Sequence, residues 1–313
     1  MGSFAIDTYG RHYLEGMIDL YNRQTSFAPH IAPLTAELFI ELVESKSCFD
    51  PTGLFVAHDG GRVIGWIHAC VAAGSEPHHE PGDLRHRIRM LLYEPQELKA
   101  GKALVHEATA WLSGRGATSI EAMHAKWGYP LYRGLWAGGE PLCPAELAHV
   151  HLALEVGGYR NTQESIFMTA RMSTPPDQPR CGIDIELVDR PAAMAHEPMR
   201  QSWIGFEPMY TQAMAGGEVA GTIGWVVLPH VTRLGAPALN IWTLGVRDLF
   251  RRKGVASALI ARAMRLGHER GARHCSVGTQ LWNAPAHASY ARFGYTPASV
   301  LVGRSQELKP AQG

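Results

Sequence analysis

The sequence predicts two duplicated α/β domains in one chain of 313 residues. Three observations carry this prediction. The length suits two domains or one large one. Strand-like and helix-like patterns alternate on both sides of a proline-rich segment, STPPDQPR, residues 173–180, which has the composition of a linker. Glycine-centred motifs also recur in the same order in the two halves.

In the first half, FAIDTYG reads as a short strand, and residues 11–24 and 35–46 carry apolar residues at helical spacing. GLFVAHDGGRVIGWIHACVA alternates around Asp59-Gly60-Gly61, a hairpin signal. RIRMLLYE reads as a strand and residues 98–113 as a helix. In the second half, IDIELVDR is a strand and residues 191–214 are mostly helical. TIGWVVLPHV and ALNIWTLGV are strands. The helix that follows, over 255–270, sets Val255, Leu259, Ala263 and Met264 on one apolar stripe.

The repeat holds residue by residue. Leu98 starts a segment that aligns with the one starting at Arg251, so Gly101 falls on Gly254 and Ala103 on Ala256. With a two-residue gap, Gly116 falls on Gly271. Gly158-Tyr159 then matches Gly294-Tyr295. The domains are therefore expected at 1–172 and 181–313, with 173–180 as the linker.

Composition excludes several classes. Hydrophobic residues make up 46% of the chain, enough for real cores, and the formal net charge is zero, which argues against a general nucleic-acid binder. No apolar run is long enough to span a membrane, and the N-terminus lacks the pattern of a signal peptide. Five cysteines with no C-x-x-C spacing point to a reducing, cytoplasmic setting. The histidines do not form a metal motif. His106-Glu107 and His268-Glu269 lack a second histidine at the zinc-helix spacing, and His78-His79-Glu80 sits beside Pro81-Gly82 in a loop.

The segment FRRKGVASALIARAM, residues 250–264, holds the main chemical signal. Arg251, Arg252 and Lys253 crowd a helix N-terminus that already carries partial positive charge. Free N–H groups, Gly254 and clustered cations read either as an anion site, which a pyrophosphate suits better than one carboxylate, or as a solvated basic turn before an ordinary amphipathic helix. A nucleotide-hydrolysing P-loop fails, because Val-Ala follows Gly254 where Lys-Ser/Thr is needed. A dinucleotide fingerprint fails too, because Gly114-Arg115-Gly116 follows a helix.

LGVRDLFRRKGVA resembles the signature of the GNAT superfamily of N-acetyltransferases, [Arg/Gln]-x-x-Gly-x-[Gly/Ala] after a Leu-x-Val strand end. Here these are Arg251, Gly254 and Ala256 after Leu244 and Val246. A second GNAT-like pattern follows in NAPAHASYARFGY, with Asn283, Tyr290, Gly294 and Tyr295 in register. The resemblance is strong over 181–305 and reaches 4–172 through the repeat. It implies two GNAT-like domains of α/β class, each a twisted mixed β-sheet flanked by helices.

The resemblance also implies roles. Backbone groups at Leu244, Gly245 and Val246 would pair with the pantetheine arm of acetyl-CoA. Amides from Arg252 through Lys253, Gly254, Val255 and Ala256 to Ser257 would hold the pyrophosphate, with Arg251 helping through charge and turn geometry. Asn283 would contact the pantetheine or phosphate arm, and Tyr290 would act as general acid toward the leaving thiolate, the alternative being a helix-end aromatic that packs on the core. A phenol with an ordinary pKa near 10 is protonated at neutral pH, as that role requires. The general base stays open. The strand before the signature offers Asn240 and Thr243 beside Trp242, while Glu207, Glu218 and His230 lie on neighbouring segments.

In the first half Leu98 replaces Arg251, Leu147 replaces Asn283 and Leu154 replaces Tyr290, so a second transfer site is not expected, although Lys99 and Lys102 keep some positive charge. The aromatic insertion HAKWGYPLYRGLWAGGEP, residues 124–141, is either a wall of the substrate cleft or a loop packed on its own domain. Trp203, Phe206 and Tyr210 are either acceptor-pocket residues or core.

The expectation is a cytoplasmic, acetyl-CoA-dependent N-acetyltransferase without a metal, acting in its C-terminal domain on a small-molecule amine, as a monomer or homodimer. Nucleic acid and membrane are not expected partners. The alternatives are a non-catalytic acyl-CoA sensor or scaffold and a transferase of longer acyl or aminoacyl groups.

Overall fold

The computed structural model describes residues 4–73, 84–123, 131–136, 142–193, 197–230, 233 and 235–308. His78-His79-Glu80 and two parts of the aromatic insertion, 124–130 and 137–141, lie outside the described residues.

The first half runs β1 (Ala5–Thr8), α1 (Leu14–Gln24), α2 (Ala36–Phe39, continued by a π-turn to Glu44), β2 (Leu54–Asp59), β3 (Arg62–Ala73), β4 (Leu84–Tyr93), α3 (Leu98–Ser113) and β5 (Ser119–Ala122), then β6 (Cys143–Pro144), α4 (Ala148–Val156) and β7 (Arg160–Arg171). The second half runs β8 (Glu186–Pro191), α5 (Glu197–Ser202), β9 (Met209–Ala215), β10 (Glu218–Leu228), β11 (Ala238–Val246), α6 (Val255–Glu269), β12 (His274–Gln280), α7 (Ala284–Ala291) and β13 (Thr296–Glu307). The mixed α/β class with helix-flanked sheet is as expected.

One expectation is corrected. Residues 191–214 are not mostly helical, since among the described residues of this stretch Glu197–Ser202 form the one helix and Met209–Ala215 form β9. Gly216 and Gly217, with φ of 58° and 86°, close a β9–β10 hairpin, as Gly60 and Gly61, with φ of 55° and 89°, close β2–β3. Both turns need left-handed residues, which glycine adopts without a Cβ clash. Tertiary pairing with β8 and β10 overrides the helix-like spacing of Trp203, Phe206 and Tyr210.

All thirteen strands among the described residues join one sheet, in the order β1-β2-β3-β4-β5-β13-β7-β12-β11-β10-β9-β8, with β6 on β13. The centre interleaves the halves. β13, from the second half, pairs with β5 of the first, and β7, from the first, pairs with β12 of the second. β7 and β13 also pair with each other. Side-chain burial follows the same exchange. Leu301 of β13 belongs to the core built mainly from the first half, while Met168 and Ala170 of β7 belong to the core around α6.

The halves share a second surface. Among the described residues the second half has the short α5 where the first has α1 and α2, and part of its sheet meets the first half. Val226, Leu228 and Ala238 enter the first half's core. Arg233 donates to the Thr25 carbonyl at 2.7 Å and to Asn22 Oδ1 at 3.3 Å.

Candidate active site

β11 and β12 run parallel only from Ala238↔His274 to Ile241↔Val277. Beyond that point they part. β11 keeps β10 on one side up to Val246↔Gly221, while β12 keeps β7 up to Gln280↔Ser165. A bulge at this point inserts Trp242 as an extra residue of β11, between the pairs Gly224↔Thr243 and Trp225↔Ile241; bulges bend a strand away from its neighbour. The ladder between them ends at Ile241↔Val277, and the sheet face beside the gap is uncovered, because a Cβ added at Gly245 or at Gly278 meets no atom within 4 Å. Leu244 and Val246 are half-buried beside Gly245 and pack on the second core.

Past Val246 the chain turns through Asp248–Phe250 and enters α6 over a left-handed turn. Arg252 has φ 61° and Gly254, the N-cap of α6, φ 89°. The first backbone bond of the helix is Ala258 N–H to the Gly254 carbonyl at 3.0 Å, so the amides of Val255, Ala256 and Ser257 precede the helical ladder. Arg252 and Lys253 are exposed at this turn. Arg251 braces it, its Nε donating to the Val246 carbonyl at 3.2 Å while its Nη2 pairs with Asp248 at 2.8 Å. Gly254 serves two purposes. Its φ requires glycine, and a Cβ there would stand 3.1 Å from the Arg180 carbonyl, where the linker packs. The close approach made at this glycine is thus by the chain itself.

Asn283 caps α7, its Oδ1 accepting from Ala286 N–H at 3.3 Å and its Nδ2 donating to Thr279 Oγ1 at 3.4 Å. Tyr290 is 4% exposed, and its ring lies 5.5 Å from that of Tyr295. Burial pushes the Tyr290 phenol up to about 12, so it stays protonated well above neutral pH.

The carboxylates considered for a base lie elsewhere. Glu218 pairs with Arg247 at 3.0 Å and Glu207 with Arg270 at 3.7 Å, both exposed. Asn240 is buried and donates to Ser276 Oγ at 3.2 Å. His230 is half-buried, and burial lowers its pKa, with the Glu41 charge opposing. Trp203, Phe206 and Tyr210 gather beside the bulge. Trp242 lies 5.8 Å from Trp203 and 4.9 Å from Tyr210, and Phe206 lies 6.3 Å from Trp203. The described part of the insertion packs inward, with Leu131, Tyr132, Leu135 and Trp136 buried. It also meets the second half, since Arg133 stacks over Trp203 at 4.1 Å and Phe206 lies against Gly134.

The equivalent region of the first half is closed. β4 and β5 pair in parallel only over Arg87 and Ile88, and a bulge places Arg89 where β11 has Trp242. Yet α3 starts at Leu98, so residues 98–101 are helical where 251–254 form the left-handed turn, and the Gly101 amide bonds to Glu97 at 3.1 Å. Tyr93, the last residue of β4 and the counterpart of Val246, fills the gap. Its ring covers Gly101, where a Cβ would stand 2.6 Å away, and its hydroxyl donates to the His149 carbonyl in α4. Leu147 holds the cap position of α4, as Asn283 does of α7.

The fold is of the α/β class, a mixed sheet that splays beside a left-handed, cation-bearing turn. Residues 180–295 match the model of the Acetyltransferase (GNAT) family, and this segment is a GNAT acetyltransferase domain. GNAT proteins use acetyl-CoA as acyl donor. No curated protein sequence matches the chain. Among solved structures it is similar to a tandem GNAT protein from the clavulanic acid biosynthesis pathway, with 16% identity, TM-score 0.66, and coverage of 99% of this chain and 100% of that one. It is also similar to a GCN5-related N-acetyltransferase from Sphaerobacter thermophilus, with 15% identity, TM-score 0.65, and coverage of 98% and 96%. Among the described residues no helix is long and apolar enough to cross a membrane, and no group of three His, Cys, Asp or Glu side chains gathers as a metal site.

Proposed function

We propose that the protein transfers an acetyl group from acetyl-CoA to the nitrogen of a small-molecule amine, in the cleft of the second half. The observation that carries this reading is the contrast between two equivalent places. The splay after Val277 is open at Gly245 and Gly278 and leads to the left-handed turn at Gly254, whereas Tyr93 and the helical residues 98–101 close the first. The chain comprises two GNAT-like units, 1–172 and 181–313, joined by 173–180, and only the second binds the cofactor.

The groups present fit acetyl-CoA. The amides from Arg252 to Ser257, with the exposed charges of Arg252 and Lys253, suit a pyrophosphate. Arg251 sets the turn rather than reaching outward, because its guanidinium is held by Val246 and Asp248. The main chain of Leu244, Gly245 and Val246 has an open side toward the gap and suits an extended amide-bearing arm. Asn283 holds the start of α7, and α7 places Tyr290 among the buried residues of the second core. Tyr290 supplies the proton for the departing thiolate. Placing the amine against the thioester is chiefly a matter of position.

A second reading, a non-catalytic acyl-CoA sensor, draws on the absence of a carboxylate on β11, whose polar side chains are Asn240 and Thr243. Turnover with an amine panel separates the two.

The cofactor site is tested by calorimetric titration with acetyl-CoA beside Ser257→Asp. A carboxylate in the first turn favours the helix but repels a pyrophosphate. One site, lost in the variant with thermal stability kept, supports the reading. Two sites, or unchanged affinity in the variant, refutes it.

A further inference from the structure

A cavity of about 220 Å³ opens where the two halves interleave. Phe27, Pro29 and His30 line it from the loop after α1, Glu146 from the segment before α4, Thr169 from β7 and Ala298 from β13. The first half thus builds most of it, but its position belongs to the second half's sheet. Asn240, Ser276, Thr169 and Thr296 are register partners across β11, β12, β7 and β13. Register partners share a face. α6 packs on the opposite face, against Leu239, Ile241 and Val277. A cofactor arm that enters the splay from the α6 side emerges on the face where this cavity opens.

We infer that this cavity anchors a cationic group of the acceptor, remote from the nitrogen that is acetylated, so that the acceptor is a diamine or comparable dication. The inference rests on the acetyltransferase reading. Three observations carry it. Glu146 stands exposed at the mouth, its Oε2 fixed by the Ser299 hydroxyl at 2.8 Å. His30 is 5% exposed, and its Nε2 has no hydrogen-bond partner. A buried polar atom without a partner is costly, and an ammonium N–H would satisfy it when the ring proton sits on Nδ1. Arg304, whose charge acts on His151 as that of Glu146 does, in the opposite sense, is engaged elsewhere, since it donates to the Tyr159 carbonyl at 3.3 Å and pairs with Glu155 at 3.7 Å.

His30 also stays uncharged. Its ring lies 4.7 Å from that of Phe167, and burial lowers its pKa to about 4 against the opposing charge of Glu146. It therefore receives a cation without repelling it. Neighbouring strands stand about 4.8 Å apart, so the cavity lies roughly 5–10 Å from β12, the reach of an alkyl diamine of about four to six carbons. In the transfer, the far nitrogen forms the new amide bond as the thioester C–S bond breaks. One proton passes from that nitrogen and one thiol leaves. The anchored ammonium keeps its protons.

Binding is read without any cofactor. Protein labelled with ¹³C-histidine, its His30 resonance assigned through His30→Gln, is titrated with 1,5-diaminopentane, n-pentylamine and n-pentanol. Both ammonium compounds should move the His30 resonance and the alcohol should not. Glu146→Gln, with its melting temperature checked, should weaken the diamine about tenfold, as loss of one charge-assisted contact does. In turnover, kcat/KM for 1,5-diaminopentane should exceed that for n-pentylamine about tenfold, and Glu146→Gln should bring the ratio near one. No His30 shift, an equal shift with n-pentanol, or an unchanged ratio overturns the anchor. Failure of acetyl-CoA to bind overturns the acetyltransferase reading instead, and is seen separately by calorimetry.

Discussion

Gly254 and Gly101 hold equivalent places in the two halves for different reasons, and alanine at each separates those reasons. At Gly254 the backbone is left-handed, with φ 89°, and an added Cβ stands 3.1 Å from the Arg180 carbonyl and 3.3 Å from Cys181 Cα. The left-handed conformation alone costs alanine about 1–2 kcal/mol, and both neighbours are main-chain atoms that cannot rotate aside. A total of about 1–3 kcal/mol follows. Relief comes from moving the turn, which turns the amides of 255–257 away from the cleft. Each 1.4 kcal/mol of lost cofactor binding is tenfold, so acetyl-CoA affinity should fall about 10–100-fold. At Gly101 the backbone is helical, and the Cβ meets the Tyr93 ring at 2.6 Å. Overpacking there should cost about 1–3 kcal/mol of stability with acetyl-CoA affinity unchanged. Urea unfolding reads the stability and calorimetry the affinity. If Gly101→Ala weakens acetyl-CoA as Gly254→Ala does, the first half holds cofactor. If Gly254→Ala lowers stability alone, the turn is not the cradle.

Tyr290→Phe should lower kcat about 100-fold, toward the low end for general acids because its phenol is a weak one, with acetyl-CoA affinity kept; since the wild-type phenol titrates near 12, the kcat profile should show no Tyr290 limb below pH 10. An unchanged kcat would remove Tyr290 from the chemistry. His68 is buried beside Tyr132, 2.6 Å from its hydroxyl, and burial, then the Arg89 charge, lowers its pKa from 6.5 to about 3. Between those values the unfolded chain takes a proton the folded one refuses, so stability is full above pH 6.5 and falls as pH drops. The slope should reach about 1.4 kcal/mol per pH unit for this one group, and urea unfolding at pH 7, 6 and 5 should show a shallower dependence for His68→Gln. Arg262 binds Asp189 at 2.6 Å, and Asp189 also accepts from Thr211. Arg262→Ala should cost about 1 kcal/mol, the lower end for a charged hydrogen bond because the pair is partly exposed, and leave acetyl-CoA titrations unaltered.

Much of the fold was legible because it is local. The Gly60-Gly61 hairpin, the α3 and α6 stripes and the strand–turn–helix at Gly254 each depend on neighbours in sequence. β9 was misread because Trp203, Phe206 and Tyr210 fit a helical spacing, although Gly216-Gly217-Glu-Val-Ala-Gly221 repeats Gly60-Gly61-Arg-Val-Ile-Gly65 and marks the same hairpin. The matched glycines at 101 and 254 were visible, but not that one faces a tyrosine ring and the other the linker. The His30–Glu146 cavity left no local signal. Its walls come from residues 27–30, 146, 169 and 298, brought together only by tertiary pairing. The exchange of β7 and β13 was equally hidden, since strand order depends on which edges meet and not on the pattern within a strand.

That exchange has a consequence for how the chain is made. While the ribosome is still building the second half, β5 and β7 wait without the strand that lies between them, Thr296–Glu307. The first half cannot complete its sheet until nearly the last described residue has emerged. Synthesis therefore leaves one edge of β5 and both edges of β7, whose partners β13 and β12 come from the second half, open for as long as it takes to add about a hundred residues, and such edges invite foreign pairing. The first half closes last, by receiving a strand from the second.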